Sequence, residues 1–293
     1  MKKYLAAVSG GSDSMTMLDM YVRQISVVCH VNYQKRLSAK RDAEIAEQYC
    51  KSHKIIFKRL LVTKSIYDEY HKISHNFQNI ARLIRYDFFT KIAHKYSLDT
   101  VLIAHNKDDF LETAIMQVQR NTAAPFIGIQ TKSQYKDLNI YRPLLNVWKK
   151  TILNYCDHNK IKYGLDETNE LNIYERNRIR NSISKWSLKD KNMIYNEFQK
   201  FNKKHKKLFF IINKYYEQWK KSKFNINLYR KMEDGLQIQI IYKYLREYDV
   251  SRLSFNKMKL VQQFLMGDNN KTKLRIGTNS YLAKIKDKLV IVK

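Results

Sequence analysis

The sequence predicts an α/β fold: a parallel sheet covered by helices on both faces, followed by a smaller, mainly helical and basic domain. Three observations carry this reading. Up to about residue 105, short apolar runs alternate with longer amphipathic stretches, the pattern of strand–helix–strand units. A Ser/Gly-rich turn joins the first apolar run to the first helical pattern, and right-handed crossovers bring the loops after such strands to one ligand-binding edge. From about Asn181 the pattern changes to long, lysine-rich helices.

Taken in order, the strands are expected at Lys3–Val8, Ile25–Val31, Ile55–Leu61 and Thr100–Ala104. Helices are expected between them at Ser12–Arg23, Ala39–His53 and Asn76–Tyr96; in the last, Ile80, Leu83, Ile84, Phe88 and Ile92 recur at helical spacing. A helix at Asn106–Arg120 leads into an irregular stretch marked by Pro125, Gly128 and Pro143, and another helix covers Val147–Asn159. Beyond Lys203-Lys204-His205-Lys206-Lys207 lie helical patterns around Leu236–Tyr248 and Phe255–Met266, then a hairpin of Lys273–Ile276 and Tyr281–Val292. A boundary near residue 205 divides the chain into 1–205 and a basic 206–293.

Composition narrows the class. Fifty-five Lys and Arg against 27 Asp and Glu give a net charge of +28 over 293 residues. Such an excess calls for a polyanionic partner, nucleic acid before anionic membrane. No apolar run approaches the ~18 residues that cross a bilayer, and the apolar stretch after Met1-Lys2-Lys3 is too short for a secretion signal. A cytoplasmic location without a membrane partner is expected. The three cysteines, Cys29, Cys50 and Cys156, are scattered and odd in number, which excludes a disulfide framework or a spaced zinc motif.

The turn Ser9-Gly10-Gly11-Ser12-Asp13-Ser14 combines two glycines with hydroxyls at a helix start. Backbone N–H groups there form an anion nest, favoured by the helix dipole. It lacks the Gly-Lys-Ser/Thr of the lysine-bearing nucleotide loop and the third glycine of the dinucleotide fingerprint. Instead it resembles the pyrophosphate-binding loop of the N-type ATP pyrophosphatases, Rossmann-like enzymes that split ATP into AMP and pyrophosphate.

Further motifs follow in order. His30-Val31-Asn32 ends the second expected strand, and Ala81-Arg82-Leu83-Ile84-Arg85-Tyr86 puts Arg82 and Arg85 on one helical face, where they could grip phosphate. Ala104-His105-Asn106-Lys107-Asp108-Asp109-Phe110-Leu111-Glu112-Thr113 stacks Asp108 and Glu112 on one face with Asp109 beside them, carboxylates of the kind that hold Mg²⁺ on triphosphate. Arg142-Pro143-Leu144-Leu145, Asp166-Glu167-Thr168-Asn169 and Arg176-Asn177-Arg178-Ile179-Arg180 complete the set. Over about residues 4–181 this ordered set resembles the tRNA(Ile)-lysidine synthetases. Four positions depart from that pattern: Tyr33 and Asn106 each replace a histidine, Phe110 replaces a glutamine, and Asn121 stands where a glycine follows arginine.

The resemblance implies a reaction. The wobble cytidine of a tRNA(Ile) with a CAU anticodon attacks the α-phosphate of ATP through its C2 oxygen, and free L-lysine then displaces AMP. It implies that Ser9–Ser14 with His30 and His105 bind ATP and that Asp13 and Asp109 hold Mg²⁺. Asp108 and Glu112 would attract the lysine ammonium, while Arg82, Arg85, Arg142, Arg176, Asn177 and Arg180 contact tRNA. Two other readings stay open: a tRNA thiolase of the same superfamily, which would rely on Cys-x-x-Cys ligands, and a non-catalytic RNA-binding protein. Whether the chain forms a homodimer is left open.

Overall fold

The computed structural model describes residues 2–34, 38–73, 76–164, 175–248, 250, 253–267, 272–277 and 280–292. It divides into two compact units, residues 1–112 with 129–184, and residues 113–128 with 185–293. The division falls earlier than residue 205, so the helix Leu188–Lys204 goes with the second unit.

The first unit is built on a six-stranded sheet. Strands β1 (Tyr4–Ala7), β2 (Ile25–Asn32), β3 (Ile56–Leu61), β4 (Thr100–Ile103), β5 (Lys132–Tyr135) and β6 (Leu138–Tyr141) lie in the order β3-β2-β1-β4-β6-β5. All neighbouring pairs are parallel except β5 with β6. Because both faces are covered, the central strands are mainly apolar and successive residues serve opposite cores. Ala6, Val28 and Leu102 pack on one side under α1 (Ser12–Met20), α2 (Ala39–Ser52) and α6 (Lys149–His158). Leu5, Val27, Cys29 and Val101 pack on the other with Tyr86, Phe89 and Ile92 of α4 (Phe77–Lys95).

All four expected strands and the helices between them form. Two elements were not foreseen in this unit: α3 (Lys64–His71), and the hairpin β5–β6 inside the stretch expected to be irregular. The edge strand β5 is Lys-Ser-Gln-Tyr, with too few apolar residues to show a period. The segment Asp166-Glu167-Thr168-Asn169 lies outside the described residues.

The chain order fixes where a ligand can bind. From β1 it winds outward to β2 and β3, then returns to β4 on the other side of β1. The crevice at the carboxyl ends of β1 and β4 is therefore the topological switch point. Both the Ser9–Ser14 turn, after β1, and the His105–Asp109 loop, after β4, open there.

The second unit is mainly helical: α8 (Leu188–Lys204), α9 (Lys206–Lys221), α10 (Ile226–Arg230), α11 (Asp234–Glu247) and α12 (Phe255–Met266). The arginine-bearing helix α7 (Glu175–Ser184) belongs to the first unit. The aromatics between the lysines of α9 divide by face. Tyr216 and Trp219 are fully buried in an aromatic core with Tyr229 and Tyr244, whereas Tyr215 is exposed. The expected terminal hairpin is a three-stranded meander, β7 (Lys273–Arg275), β8 (Tyr281–Ile285) and β9 (Lys288–Val292). Lys286 and Asp287, with φ of 45° and 59°, make a two-residue turn where one continuous strand was expected.

Candidate active site

The turn after β1 is held in shape by its own side chains. The Ser14 hydroxyl accepts the N–H groups of Ser9 and Gly10 at 3.1 and 3.2 Å and donates to the Gly11 carbonyl at 2.9 Å. Gly10 has φ +91°, and a Cβ there would lie within 2.8 Å of the Asp42 carbonyl carbon, so this position requires glycine. Gly164 closes the loop from the other side, its N–H donating to the Gly10 carbonyl at 2.9 Å.

The carboxylates gather at this loop. Asp13 sits in its first helical turn, and its oxygen Oδ1 accepts from the Asn106 amide at 3.3 Å. The Asn106 side-chain oxygen in turn accepts the Asp109 N–H at 3.0 Å, and the Asp109 carboxylate accepts the Asn106 N–H at 2.9 Å. Asn106 thus caps α5 (Lys107–Gln119) and couples the two carboxylates expected to hold metal. Burial raises the Asp13 carboxyl above its ordinary value and the nearby Asp109 charge adds to this, against the opposing pull of Lys149. Like-charged, partly desolvated carboxylates of this kind favour a cation between them. Among the described residues no group of three or more His, Cys, Asp or Glu side chains forms a cage. A pair of carboxylates completed by phosphate oxygens is the arrangement Mg²⁺ prefers, so the residues fit that ion.

Lys149 was not foreseen. Its ammonium donates to both oxygens of Asp13 at 2.8 Å and to the Ser12 hydroxyl at 2.7 Å. The expected pocket at Asp108 and Glu112 is also already engaged. An Asp108 oxygen accepts the Lys149 N–H at 2.9 Å, capping α6. Glu112, 2% exposed, takes the Nε of Arg176 at 2.7 Å and the Nε of Arg180 at 2.6 Å. Arg176 also reaches Asp109 at 2.9 Å. Arg176 and Arg180, expected on the RNA, therefore lock α7 to α5, and Asn177 lies between them on the same helix. The reason is electrostatic: a carboxylate this buried needs full cationic compensation.

The remaining expected residues separate. Arg142, also expected on RNA, is only 6% exposed, and its donors go to His105 Nδ1, the Gln130 carbonyl and Ser133. It is an internal strap under the site. Arg82 lies 4.5 Å from the Tyr86 ring and Arg85 donates to the Ala81 carbonyl at 3.3 Å. No ion pair to a carboxylate is seen for either among the described residues, so this pair stays suited to phosphate. His30 bonds the Val8 carbonyl at 3.0 Å through Nδ1, which makes Nδ1 the donor, while its buried Nε2 has no partner among the described residues.

The departures from the family pattern have local explanations. Tyr33 donates to the Ala81 carbonyl at 2.7 Å, tying the end of β2 to α4. Phe110 is fully buried. Asn121 adopts φ +44°, the left-handed conformation that glycine accepts and asparagine tolerates best among other residues.

His105 accepts from Arg142 through Nδ1, which places its proton on Nε2. Burial, reinforced by Arg142, Arg176, Arg85 and Arg82, holds its pKa well below 6.5; burial lowers that of His30 too. Both are neutral in the folded protein but accept protons readily once unfolded. Their contribution to stability is full above about pH 6.5 and is lost as pH falls below it, by up to about 1.4 kcal/mol per pH unit for each histidine. Urea denaturation at about pH 7.5 and about pH 5.5 measures this; a His105→Gln variant with an undiminished slope would remove His105 from the account.

The fold and site define a class: an α/β domain of the nucleotide-binding kind, with a Ser/Gly loop between its first strand and first helix at the topological switch point. The family model for the PP-loop domain matches residues 1–186, nearly coincident with the end of the first unit. Over 99% of this chain, the tRNA(Ile)-lysidine synthase of Ureaplasma parvum is 46% identical, with 87% of that protein covered. That of Malacoplasma penetrans is 34% identical over 99% of the chain and 98% of its own length. The chain belongs to the tRNA(Ile)-lysidine synthase family, and as a member it is an ATP-using enzyme. The U34-tRNA thiolase NcsA from Methanococcus maripaludis aligns with a TM-score of 0.55 and 19% identity, over 69% of this chain and 73% of that one. That likeness shows the shared fold. Cys29, Cys50 and Cys156 are separately buried in β2, α2 and α6.

Proposed function

We propose that this chain attaches free L-lysine to C2 of the wobble cytidine in the CAU anticodon of a tRNA(Ile), converting ATP to AMP and pyrophosphate. The observation that carries the reading is the convergence, at the β1/β4 switch point, of the Ser9–Ser14 loop with Asp13 and Asp109, coupled through Asn106.

The cytidine C2 oxygen bonds to the α-phosphate, and the bond to pyrophosphate breaks. The lysine side-chain amine then bonds to C2, the C2–O bond breaks, AMP leaves and the amine loses a proton. Hydroxyls of the Ser9–Ser14 loop, with those of its N–H groups that are not bonded to Ser14, would receive the leaving pyrophosphate. Asp13 and Asp109 would hold Mg²⁺, which supplies charge neutralisation on the phosphates when bound. Asp108 and Glu112 would draw in the lysine ammonium. Since Glu112 is already bound by two guanidiniums, lysine reaches it only by sharing or displacing them. Arg82 and Arg85 contact RNA phosphate, and the lysines of the second unit hold the rest of the tRNA.

Purified protein with ATP, Mg²⁺, labelled lysine and unmodified tRNA(Ile) bearing CAU tests the whole reading. Acid-stable label in that tRNA, and none in a methionine tRNA control, is the expected result. AMP formed without label would retain the ATP chemistry and reject lysine. Transfer RNA affinity should fall steeply with salt; six or more phosphate contacts lose about 10³-fold between about 50 and 200 mM. A flat salt response in a filter-binding titration would rule out the lysines of the second unit as the tRNA-binding surface.

A further inference from the structure

Lys149 stands where the helix that carries it would not choose a cation. It is the first residue of α6, followed by Lys150, in a first turn with no acidic residue and behind a Trp148 cap that offers no side-chain bond. The positive end of a helix dipole disfavours that charge. Asp108 supplies the missing cap through the Lys149 N–H, and the Lys107 N–H donates to the Val147 carbonyl at 2.9 Å. With its backbone fixed this way, the side chain delivers its ammonium symmetrically to the two oxygens of Asp13 and also to Ser12. The Ser12 hydroxyl accepts from the ammonium, so its own proton is left to point elsewhere.

We propose that Lys149 is a positioning residue that keeps the cation seat on Asp13 filled in the nucleotide-free enzyme, and that it trades Asp13 for a phosphate oxygen when metal-bound ATP arrives. This rests on the reading of Asp13 and Asp109 as metal carboxylates. Without Lys149 these two negative groups, linked through Asn106, would face each other with less compensation and attract a divalent ion prematurely. With it, the loop stays closed around a neutralised carboxylate until a ligand carrying its own cation competes. The exchange needs only a swing of the lysine stem: the side chain is 38% exposed, and an ammonium on four flexible carbons reorients without moving the backbone. Once displaced, the ammonium is still beside Ser12, in the loop that would hold the departing pyrophosphate.

The test uses Mn²⁺ in place of Mg²⁺ and reads free Mn²⁺ by electron paramagnetic resonance, with and without ATP. Lys149→Met should bind Mn²⁺ without nucleotide about tenfold more tightly than the unaltered protein. Lys149→Gln should behave alike, giving a second charge-free variant should the first fail to fold. Lys149→Arg should retain the weak binding, and adding Asp13→Asn to Lys149→Met should cancel the gain. In turnover, Lys149→Met should lower kcat for tRNA-dependent pyrophosphate release about 10²-fold, more than it raises the KM for ATP, with partial rescue by Lys149→Arg. Unchanged nucleotide-free Mn²⁺ affinity in both charge-free variants, with ATP still enhancing Mn²⁺ binding, overturns the proposal and leaves the metal site intact. Failure of ATP to enhance Mn²⁺ binding in the unaltered protein instead removes the metal-site reading beneath it.

Discussion

Replacing Gly10 by alanine should reduce tRNA-dependent pyrophosphate release on the order of 10²–10³-fold and destabilise the protein by about 3 kcal/mol. Two causes add. The backbone there has φ +91°, and an added Cβ would press on the main chain of Asp42, which cannot rotate aside. Any relief moves the N–H groups that would face pyrophosphate. Gly11→Ala is the matched control, because φ at Gly11 is −78° and its Cβ would meet only the Ser9 hydroxyl at 3.6 Å. It should cost well under about 1 kcal/mol. Denaturation midpoints and pyrophosphate assays on the two variants decide the matter. Equal effects would show that flexibility of the loop, rather than close approach of Asp42, is what glycine provides.

Glu112→Gln should have the second largest effect, and it separates two roles. The carboxylate is 2% exposed and compensates two guanidiniums. Removing one partner of a fully buried pair costs about 3–5 kcal/mol, and the arginines, about a third exposed, reduce this to about 2–3 kcal/mol. Amide hydrogen exchange along α7 should accelerate, since its attachment to α5 runs through these bonds. If the carboxylate cluster also receives lysine, the KM for lysine should rise several-fold more than that for ATP. An equal rise in both would leave Glu112 as an anchor for α7 and withdraw it from the lysine pocket.

Much of the site was legible because its signals are local. Gly10 and Gly11 in a chain with seven glycines, hydroxyls at a helix start, and carboxylates opening the helix after the fourth strand are all short-range patterns. Their chemistry follows from residue type and spacing. Partner choice was less legible. Arg176 and Arg180 read as phosphate contacts because four-residue spacing shows a shared face but not what that face meets. Arg142 read the same way, although burial makes it an internal strap. Lys149 was hidden among 55 basic residues; its clue, a lysine at a helix start, becomes visible only once the helix boundary is known.

The sequence by itself determined the α/β class, where along the chain the first four strands lie, and which loop has the composition suited to phosphate. These depend on periodicity, turn residues and helix-start chemistry, which act over a few residues. Tertiary structure alone decided that β1 and β4 are neighbours, that Asn106 joins Asp13 to Asp109, and that Glu112 belongs to two arginines from α7. Those outcomes depend on burial and charge compensation between segments far apart in the chain, where the cost of an unpaired charge selects the partner. They also set the division of the chain before the longest run of lysines, with α8 (Leu188–Lys204) in the second unit.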